Sequence, residues 1–168
     1  GSINSVLEFS LNKKSDMNLV ITNNRENVVD IINYAFQMKE ESNLKTTFVS
    51  LGKQILKNDI RIHLLGQKAK ADIGGLYLSQ PNSITDYNIK VNHLAKKTLS
   101  KQFFKGILSK NSKASFTGRV KIEKDCIDCK SEQVNNNLLL SEKAQINSDP
   151  QLEIYCNDVE CSHGSTTG

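Results

Sequence analysis

The chain has 168 residues, enough for one domain with a buried core, and its 38% hydrophobic and 24% charged residues are typical of a globular protein. No stretch approaches the roughly 20 consecutive apolar residues of a membrane-spanning helix. The formal charge of +4 comes from lysines scattered along the chain, and aromatic residues are only 6%, so neither nucleic acid nor a membrane is an expected partner.

The predicted domain covers residues 3–168 as a single unit. Gly1-Ser2 resembles the remnant of a cleaved expression tag, so residues 1–2 lie outside the predicted domain. No charged segment followed by an apolar one comes after them, and the sequence therefore predicts no secretion signal.

Short strands are the main predicted elements, because β-branched and apolar residues alternate with polar ones between Gly, Asn, Asp and Ser. In chain order the predicted strands are Val6–Phe9, Asn18–Ile21, Thr47–Val49, Ile60–Leu64, Leu76–Leu78, Tyr87–Val91, Phe103–Leu108, Ser115–Ile122, Asn137–Leu140 and Leu152–Tyr155.

The segment Val28–Phe36 is ambiguous between helix and strand. Its apolar residues match a helical i, i+3, i+4, i+7 stripe, but the same residues would suit a strand buried on both faces. Periodicity alone therefore leaves both interpretations open.

A loosely recurring unit favours a β-solenoid. A small residue, a spacer, an apolar residue and an apolar run recur at Ala71–Leu76, Ala114–Val120 and Ala144–Ile146. One coil cannot bury its apolar face alone, whereas stacked coils would share a buried core, with the small residues expected at the corners. A β-sandwich is the alternative, because short strands at regular spacing suit it too.

The four cysteines suggest a metal site. Cys126 and Cys129 form a C-x-x-C motif that could bring two thiolates to one zinc ion, with Cys156 and Cys161 completing a tetrahedron. The 26 residues between Cys129 and Cys156 exceed the usual spacing of zinc fingers and ribbons. A structural zinc site is therefore the alternative function rather than the leading one.

Cys161 and His163 form a second candidate site. On a strand, residues i and i+2 point to the same face, so the thiol and the imidazole would project together while Ser162 points away. His63 and His93 have no such neighbour in the sequence, and we interpret them as ordinary strand residues.

Enzyme motifs are missing from the sequence. It has no G-x-S-x-G, P-loop, H-E-x-x-H or G-x-G-x-x-G, so acyl transfer, nucleotide hydrolysis and zinc proteolysis have no support. A polysaccharide-degrading solenoid would need clustered acidic residues on an outer sheet, whereas Asp125, Asp128 and Asp158 are predicted on turns.

From Ile62 onward the sequence resembles the SufB/SufD family of iron–sulfur cluster assembly proteins, and its SufD branch in particular. The residues that carry the resemblance are Leu65-Gly66, Gly75–Leu78, Asp86, Val91–His93, Thr98–Ser100, Phe104–Gly106, Phe116–Val120, Asn137–Ser141, Leu152–Tyr155 and Asp158–Gly164. The resemblance implies a right-handed parallel β-helix, which would make Val28–Phe36 a strand.

The same resemblance implies a non-catalytic scaffold subunit in a complex with SufB and the ATPase SufC. Terminal coils would pack against SufB, where His163, with Cys161 as the next candidate, would contribute a ligand to a nascent cluster. No cofactor is expected to stay on this chain alone. Cys126, Cys129 and Cys156 depart from the SufD pattern, so the C-x-x-C motif would play no part in the family mechanism.

Three further expectations follow from the resemblance. Members of the family continue into a C-terminal helical domain that binds SufC, and this sequence ends before it. Alone, the chain is expected to form a homodimer through residues 150–165. The expected compartment is the bacterial cytoplasm or a plastid or apicoplast.

Overall fold

The computed structural model describes residues 1–51 and 55–168, and in these ranges the chain contains twelve β-strands and no helix. The all-β class predicted from the sequence is therefore confirmed, and these residues contain no helix that could span a membrane. In chain order the strands are β1 Ser2–Leu11, β2 Asp16–Asn23, β3 Val29–Met38, β4 Asn43–Ser50, β5 Ile55–Leu64, β6 Lys70–Ser79, β7 Ile84–His93, β8 Leu99–Leu108, β9 Lys113–Ile122, β10 Cys129–Leu139, β11 Gln145–Ile154 and β12 Val159–Thr167.

The strands form two parallel sheets of six. Sheet A contains the odd-numbered strands in the order β1-β3-β5-β7-β9-β11, and sheet B contains the even-numbered strands from β2 to β12. Each strand pairs with the strand two places along the chain, so one odd and one even strand make one coil. Six such coils stack into the predicted β-solenoid. Parallel pairing excludes the β-sandwich, whose sheets are antiparallel.

The segment that the sequence left ambiguous is a strand. Most of Val28–Phe36 lies in β3, and its inward-facing residues, among them Tyr34 and Phe36, are buried in the core. The helix-like stripe arose because β3 carries apolar residues on its outer face as well, including Ile31. The assignment implied by the family resemblance is confirmed here.

Aromatic side chains fill the interior of the middle coils. Ring centroids lie 6.3 Å apart for Phe48 and Tyr87, 5.2 Å for Tyr87 and Phe104, and 5.2 Å for Phe104 and Phe116. Tilted and edge-on contacts at these distances are favoured by the ring quadrupoles beyond the burial of apolar area. The apolar core therefore runs along the solenoid axis from coil to coil.

The corners match the prediction only in part. Ala144 lies in the corner between β10 and β11 as expected, but Ala71 and Ala114 lie inside β6 and β9 with their side chains buried, not at corners. The corners between sheets A and B instead hold residues of positive φ, such as Lys68 at 60° and Lys97 at 60°. The N–H of Lys68 donates to the Lys96 carbonyl of the next coil, so backbone bonds continue between coils at the corner.

Gly66 is required by a close approach between two corners, and its replacement by alanine should lower the free energy of unfolding. A Cβ atom at Gly66 would lie 1.9 Å from the backbone nitrogen of Glu40 in the preceding coil, so the two coils would have to separate. We expect Gly66→Ala to cost about 2 kcal/mol, as overpacking typically does, measured by urea denaturation.

Gly74→Ala is the matched control. Gly74 lies on the outer face of β6, and an added Cβ atom would meet nothing closer than the Thr47 hydroxyl at 3.7 Å. This variant should unfold at the urea concentration of the wild type or above it. Equal destabilisation by both substitutions would mean that glycine flexibility, and not the approach of Gly66 to Glu40, sets the effect.

Candidate functional site

Cys161 and His163 lie on β12, the last strand of sheet B, with side chains on the same face. β10 pairs with β12 so that Ser131 is the partner of Cys161 and Gln133 is the partner of His163. Ser131 and Gln133 are buried and point inward, so the two candidate side chains also face the interior at the open end of the solenoid. The geometry predicted from their i, i+2 spacing is present.

The two side chains differ in exposure. Cys161 is half-buried and packs against the core, whereas His163 is exposed. Burial raises the pKa of the Cys161 thiol, and a hydrogen bond from the Ser131 backbone opposes this only in part. Cys161 is therefore a protonated thiol at neutral pH, and binding a soft metal there would have to displace that proton.

A polar interior lies beneath this site. The inward positions of β10 are Cys129, Ser131, Gln133, Asn135 and Asn137, all buried. In sheet B the interior therefore changes from the aromatic packing of the earlier coils to hydrogen-bonding side chains toward the end that carries His163. This change was not predicted from the sequence, where the strand prediction in this region covered only Asn137–Leu140.

His93 organises part of the polar interior. Its Nδ1 lies 2.8 Å from the Thr98 hydroxyl and its Nε2 lies 2.9 Å from the Ser100 hydroxyl, which in turn lies 3.0 Å from the Ser131 hydroxyl. Burial lowers the pKa of His93 to about 4, so the ring is neutral at physiological pH. His93 lies on β7 as expected of an ordinary strand residue, and the fold brings both of its ring nitrogens to hydroxyl partners that the sequence alone did not identify.

The hydroxyl of Thr98 links this network to the C-x-x-C motif. It lies 3.1 Å from the Cys129 sulfur, which also donates to the Ala95 carbonyl at 3.3 Å. Burial raises the pKa of the neighbouring Cys126 thiol, and the nearby Cys129 and Cys156 add to this effect. Both thiols are packed as core residues, and the raised pKa of Cys126 is the opposite of what a reactive C-x-x-C thiol needs.

The arrangement of the cysteines does not support the structural zinc site. All four thiols are free, with Cys126 and Cys129 buried and Cys156 and Cys161 half-buried. Within residues 1–51 and 55–168, no group of three or more His, Cys, Asp or Glu side chains is arranged to hold a metal ion. Cys161 and His163 could therefore supply only part of a coordination sphere, and any other ligands would have to come from elsewhere.

The aspartates weighed for a polysaccharide-cleaving site lie on turns, and two aspartates on the outer face of sheet A are hydrogen-bonded to neighbouring polar side chains. Asp125 and Asp128 have φ values of 65° and 59° and lie on the turns where they were predicted. On the outer face of sheet A, Asp59 accepts a hydrogen bond from Asn88 and Asp86 accepts one from Ser115. These carboxylates take part in polar ladders along the sheet.

Comparison with known proteins agrees with the fold. The model of the SUF system FeS cluster assembly SufBD core domain matches residues 1–168. The iron–sulfur cluster assembly protein SufD of Escherichia coli is 33% identical over 118 residues, which cover 70% of this chain and 28% of that protein. Protein ABCI7, chloroplastic, of Arabidopsis thaliana is 25% identical over 164 residues, covering 96% of this chain and 34% of that protein.

A third relative is the iron–sulfur cluster assembly protein SufD of Plasmodium falciparum. It is 28% identical over 170 residues, covering 99% of this chain and 11% of that protein. The chain thus spans about a third or less of the length of these curated relatives.

Proposed function

The chain belongs to the SufBD core-domain family of the SUF iron–sulfur cluster assembly system, and from this premise we propose that it is the β-helical core of a SufD-type scaffold subunit. Its partners would be a SufB-type subunit and the ATPase SufC, with ATP hydrolysis contributed by SufC. The subunit itself would be non-catalytic. The observation that carries this proposal is that Cys161 and His163 lie on the same face of the terminal strand β12.

The ligand chemistry of these residues suits a cluster that is held and then released. Imidazole and thiolate both bind iron, and the nascent cluster is the cargo of the system rather than a resident cofactor. The described residues supply too few ligands for a closed site, so we propose that SufB supplies the remainder across an interface. A shared site of this kind exists only while the two subunits are joined.

The free edge of β12 offers a surface on which that interface could form. The Gly168 N–H donates to the Asn137 carbonyl and the Leu139 N–H donates to the Gly168 carbonyl, so even-numbered residues at this end of the chain bond to β10. In a parallel strand, the backbone groups of successive residues point alternately to the two sides of the strand. The backbone groups of Cys161, His163 and Ser165 therefore point to the free edge. An added strand would therefore pair directly with the two ligand residues.

The terminal strand of sheet A is less suited to strand addition. The N–H groups of Gln145 and Tyr155 donate to β9, so the even-numbered residues of β11 face the free edge. One of these is Pro150, which has no N–H to donate. We therefore propose that SufB pairs with β12, and that the homodimer expected of the isolated chain uses the same edge within residues 150–165.

Replacing Ser165 with proline should test this interface. The Ser165 N–H faces the free edge and makes no bond to β10, so proline should remove a donor from the interface and leave the fold intact. We expect co-purification of full-length Ser165→Pro with SufB to fall about tenfold or more, because a hydrogen bond is lost and the proline ring obstructs the added strand.

Ser165→Ala is the matched control and should co-purify with SufB as the wild type does. Thermal unfolding of both variants should match the wild type. A wild-type protein that fails to co-purify with SufB would refute the proposed partner. A Ser165→Pro variant that co-purifies normally would refute the β12 edge as the interface while leaving the partner in place.

The relatives also suggest compartments for the parent protein. They include a bacterial SufD and a protein named as chloroplastic. We propose that the parent acts in the bacterial cytoplasm or, in a eukaryote, in a plastid or apicoplast.

A further inference from the structure

Two buried amides in the polar interior lack partners. The side chains of Gln102 and Gln133 are each 1% exposed, and neither the nitrogen nor the oxygen of either amide forms a hydrogen bond within the part of the chain that the structure describes. The two residues are register partners on β8 and β10, and His163 is the next residue in the same row. Buried amides in proteins almost always have a hydrogen-bond partner.

The opposite wall of the solenoid carries small side chains beside these amides. Along sheet A the inward row reads Ile60, Ile89, Gly118 and Pro150, so two large side chains are followed by glycine and proline. A Cβ atom at Gly118 would lie 2.7 Å from the Gln133 nitrogen and 3.2 Å from the Gln102 oxygen. Both amides therefore lie close to the Gly118 backbone, in the part of the interior that a larger side chain at this position would occupy.

A third polar group lies on the same strand as Pro150. The Ser148 hydroxyl is buried and, like the amides, has no hydrogen-bond partner among the described residues. Ser148 points inward two positions before Pro150 in β11. Three side chains from β8, β10 and β11 thus bring unpartnered donors and acceptors into the last three coils.

The chemistry of this lining selects an uncharged ligand. It offers the two amide nitrogens as donors, the two amide oxygens as acceptors, and the Ser148 hydroxyl in either role. Among the buried residues that the structure describes, there is no Lys or Arg and the only carboxylate is Asp30, which belongs to the second coil and pairs with Arg25. A ligand with a net charge would have no opposite charge to meet inside these coils.

We propose that Gln102, Gln133 and Ser148 form an internal site for ordered water molecules next to His163. Water can both donate to and accept from the amides, and buried water of this kind typically makes about three hydrogen bonds to protein groups. The site is an integral part of the last three coils and not a feature of the outer surface.

The internal site gains a role if the proposed function holds. A partner that covers the terminal coil would remove bulk water from the His163 side chain, which is exposed in the chain alone. Water held at Gln133, the register partner of His163, would then remain within reach of the ring from the interior. The imidazole would keep a hydrogen-bond partner on the side away from the interface, which would help to orient its other nitrogen toward the cluster.

The test measures water contacts of the glutamine side chains in the isolated chain by NMR. We expect nuclear Overhauser effects between water and the side-chain amide protons of Gln102 and Gln133, with the sign that is typical of bound water. The exposed Gln145 should show only the weak effect of bulk water. In Gln133→Met the bound-water signal at Gln102 should be lost or at least halved. Gln145→Met is the matched control and should leave that signal unchanged.

Amide protons of Gln102 and Gln133 that show contacts only to protein groups would overturn the proposal. A signal at Gln102 that survives Gln133→Met unchanged would also contradict a site shared by the two residues. If Gln133→Met fails to fold, Gln102→Met with observation of Gln133 gives the reciprocal measurement. SufB is absent from this NMR experiment, so a negative NMR result and a failure to co-purify with SufB can be told apart.

Discussion

Full-length protein carrying His163→Ala should assemble with SufB and SufC as the wild type does, yet yield at least about tenfold less cluster. His163 is exposed on the terminal strand beside Cys161, so its removal takes away a ligand without opening a cavity in the core. The measurement is iron and acid-labile sulfide in the purified complex after anaerobic reconstitution. The loss should exceed that of any substitution on the outer face of sheet A.

His63→Ala is the matched control for this experiment. His63 lies on β5, on the outer face of sheet A, and its Nδ1 is 3.2 Å from the Asn92 amide. Cluster content should be unchanged in this variant. Normal iron and sulfide content in His163→Ala would show that the imidazole is not a ligand of the cluster. Loss of SufB from the complex would show instead that His163 is needed for assembly of the subunits.

Acidification should destabilise the isolated chain between pH 6.5 and about pH 4. The unfolded state binds a proton at His93 near pH 6.5, whereas burial lowers the pKa of His93 to about 4 in the folded state. Between these values the unfolded state holds more protons, so the free energy of unfolding falls as the pH falls. The loss should total roughly 3 kcal/mol and level off below about pH 4.

Urea denaturation at a series of pH values measures this dependence. His93→Gln lacks the titrating group and should show a much flatter profile between pH 6.5 and 4, although its stability at pH 7 should be lower. The lower baseline is expected because the hydroxyls of Thr98 and Ser100 lose the ring as a partner. An equal slope in the variant and the wild type would show that other groups cause the acid sensitivity.

The architecture was predictable because the alternation of residues within strands and the repetition of coils both produce recognisable sequence patterns. Apolar residues at every second position located at least part of most strands, and the recurrence of such segments favoured a solenoid over a helical fold. The same reasoning misplaced Ala71 and Ala114, because a small residue suits the narrow interior of a coil as well as a corner. Corner residues such as Lys68 and Lys97 gave no signal, since their side chains face solvent and only their backbone is unusual.

The candidate site was predictable from local spacing, and its surroundings were not. Cys161 and His163 are two residues apart, so any strand would place them on one face. The interior beneath them lies on β10, where Ser131 and Gln133 occupy inward positions that hydrophobic patterns assign to apolar residues. Polar residues at alternate positions from Cys129 to Asn137 are the signal that would have revealed this strand.

Pro150 bears on whether copies of the chain could stack end to end. A solenoid with two open ends can in principle add copies head to tail, as each β11 and β12 meets the β1 and β2 of another copy, and such a contact propagates into a fibre. Pro150 interrupts the row of donors that β11 would present to the next copy. A contact through β12 alone, the edge proposed above for the homodimer, would close as a pair, so Pro150 works against the contact that would propagate and leaves open the one that would close.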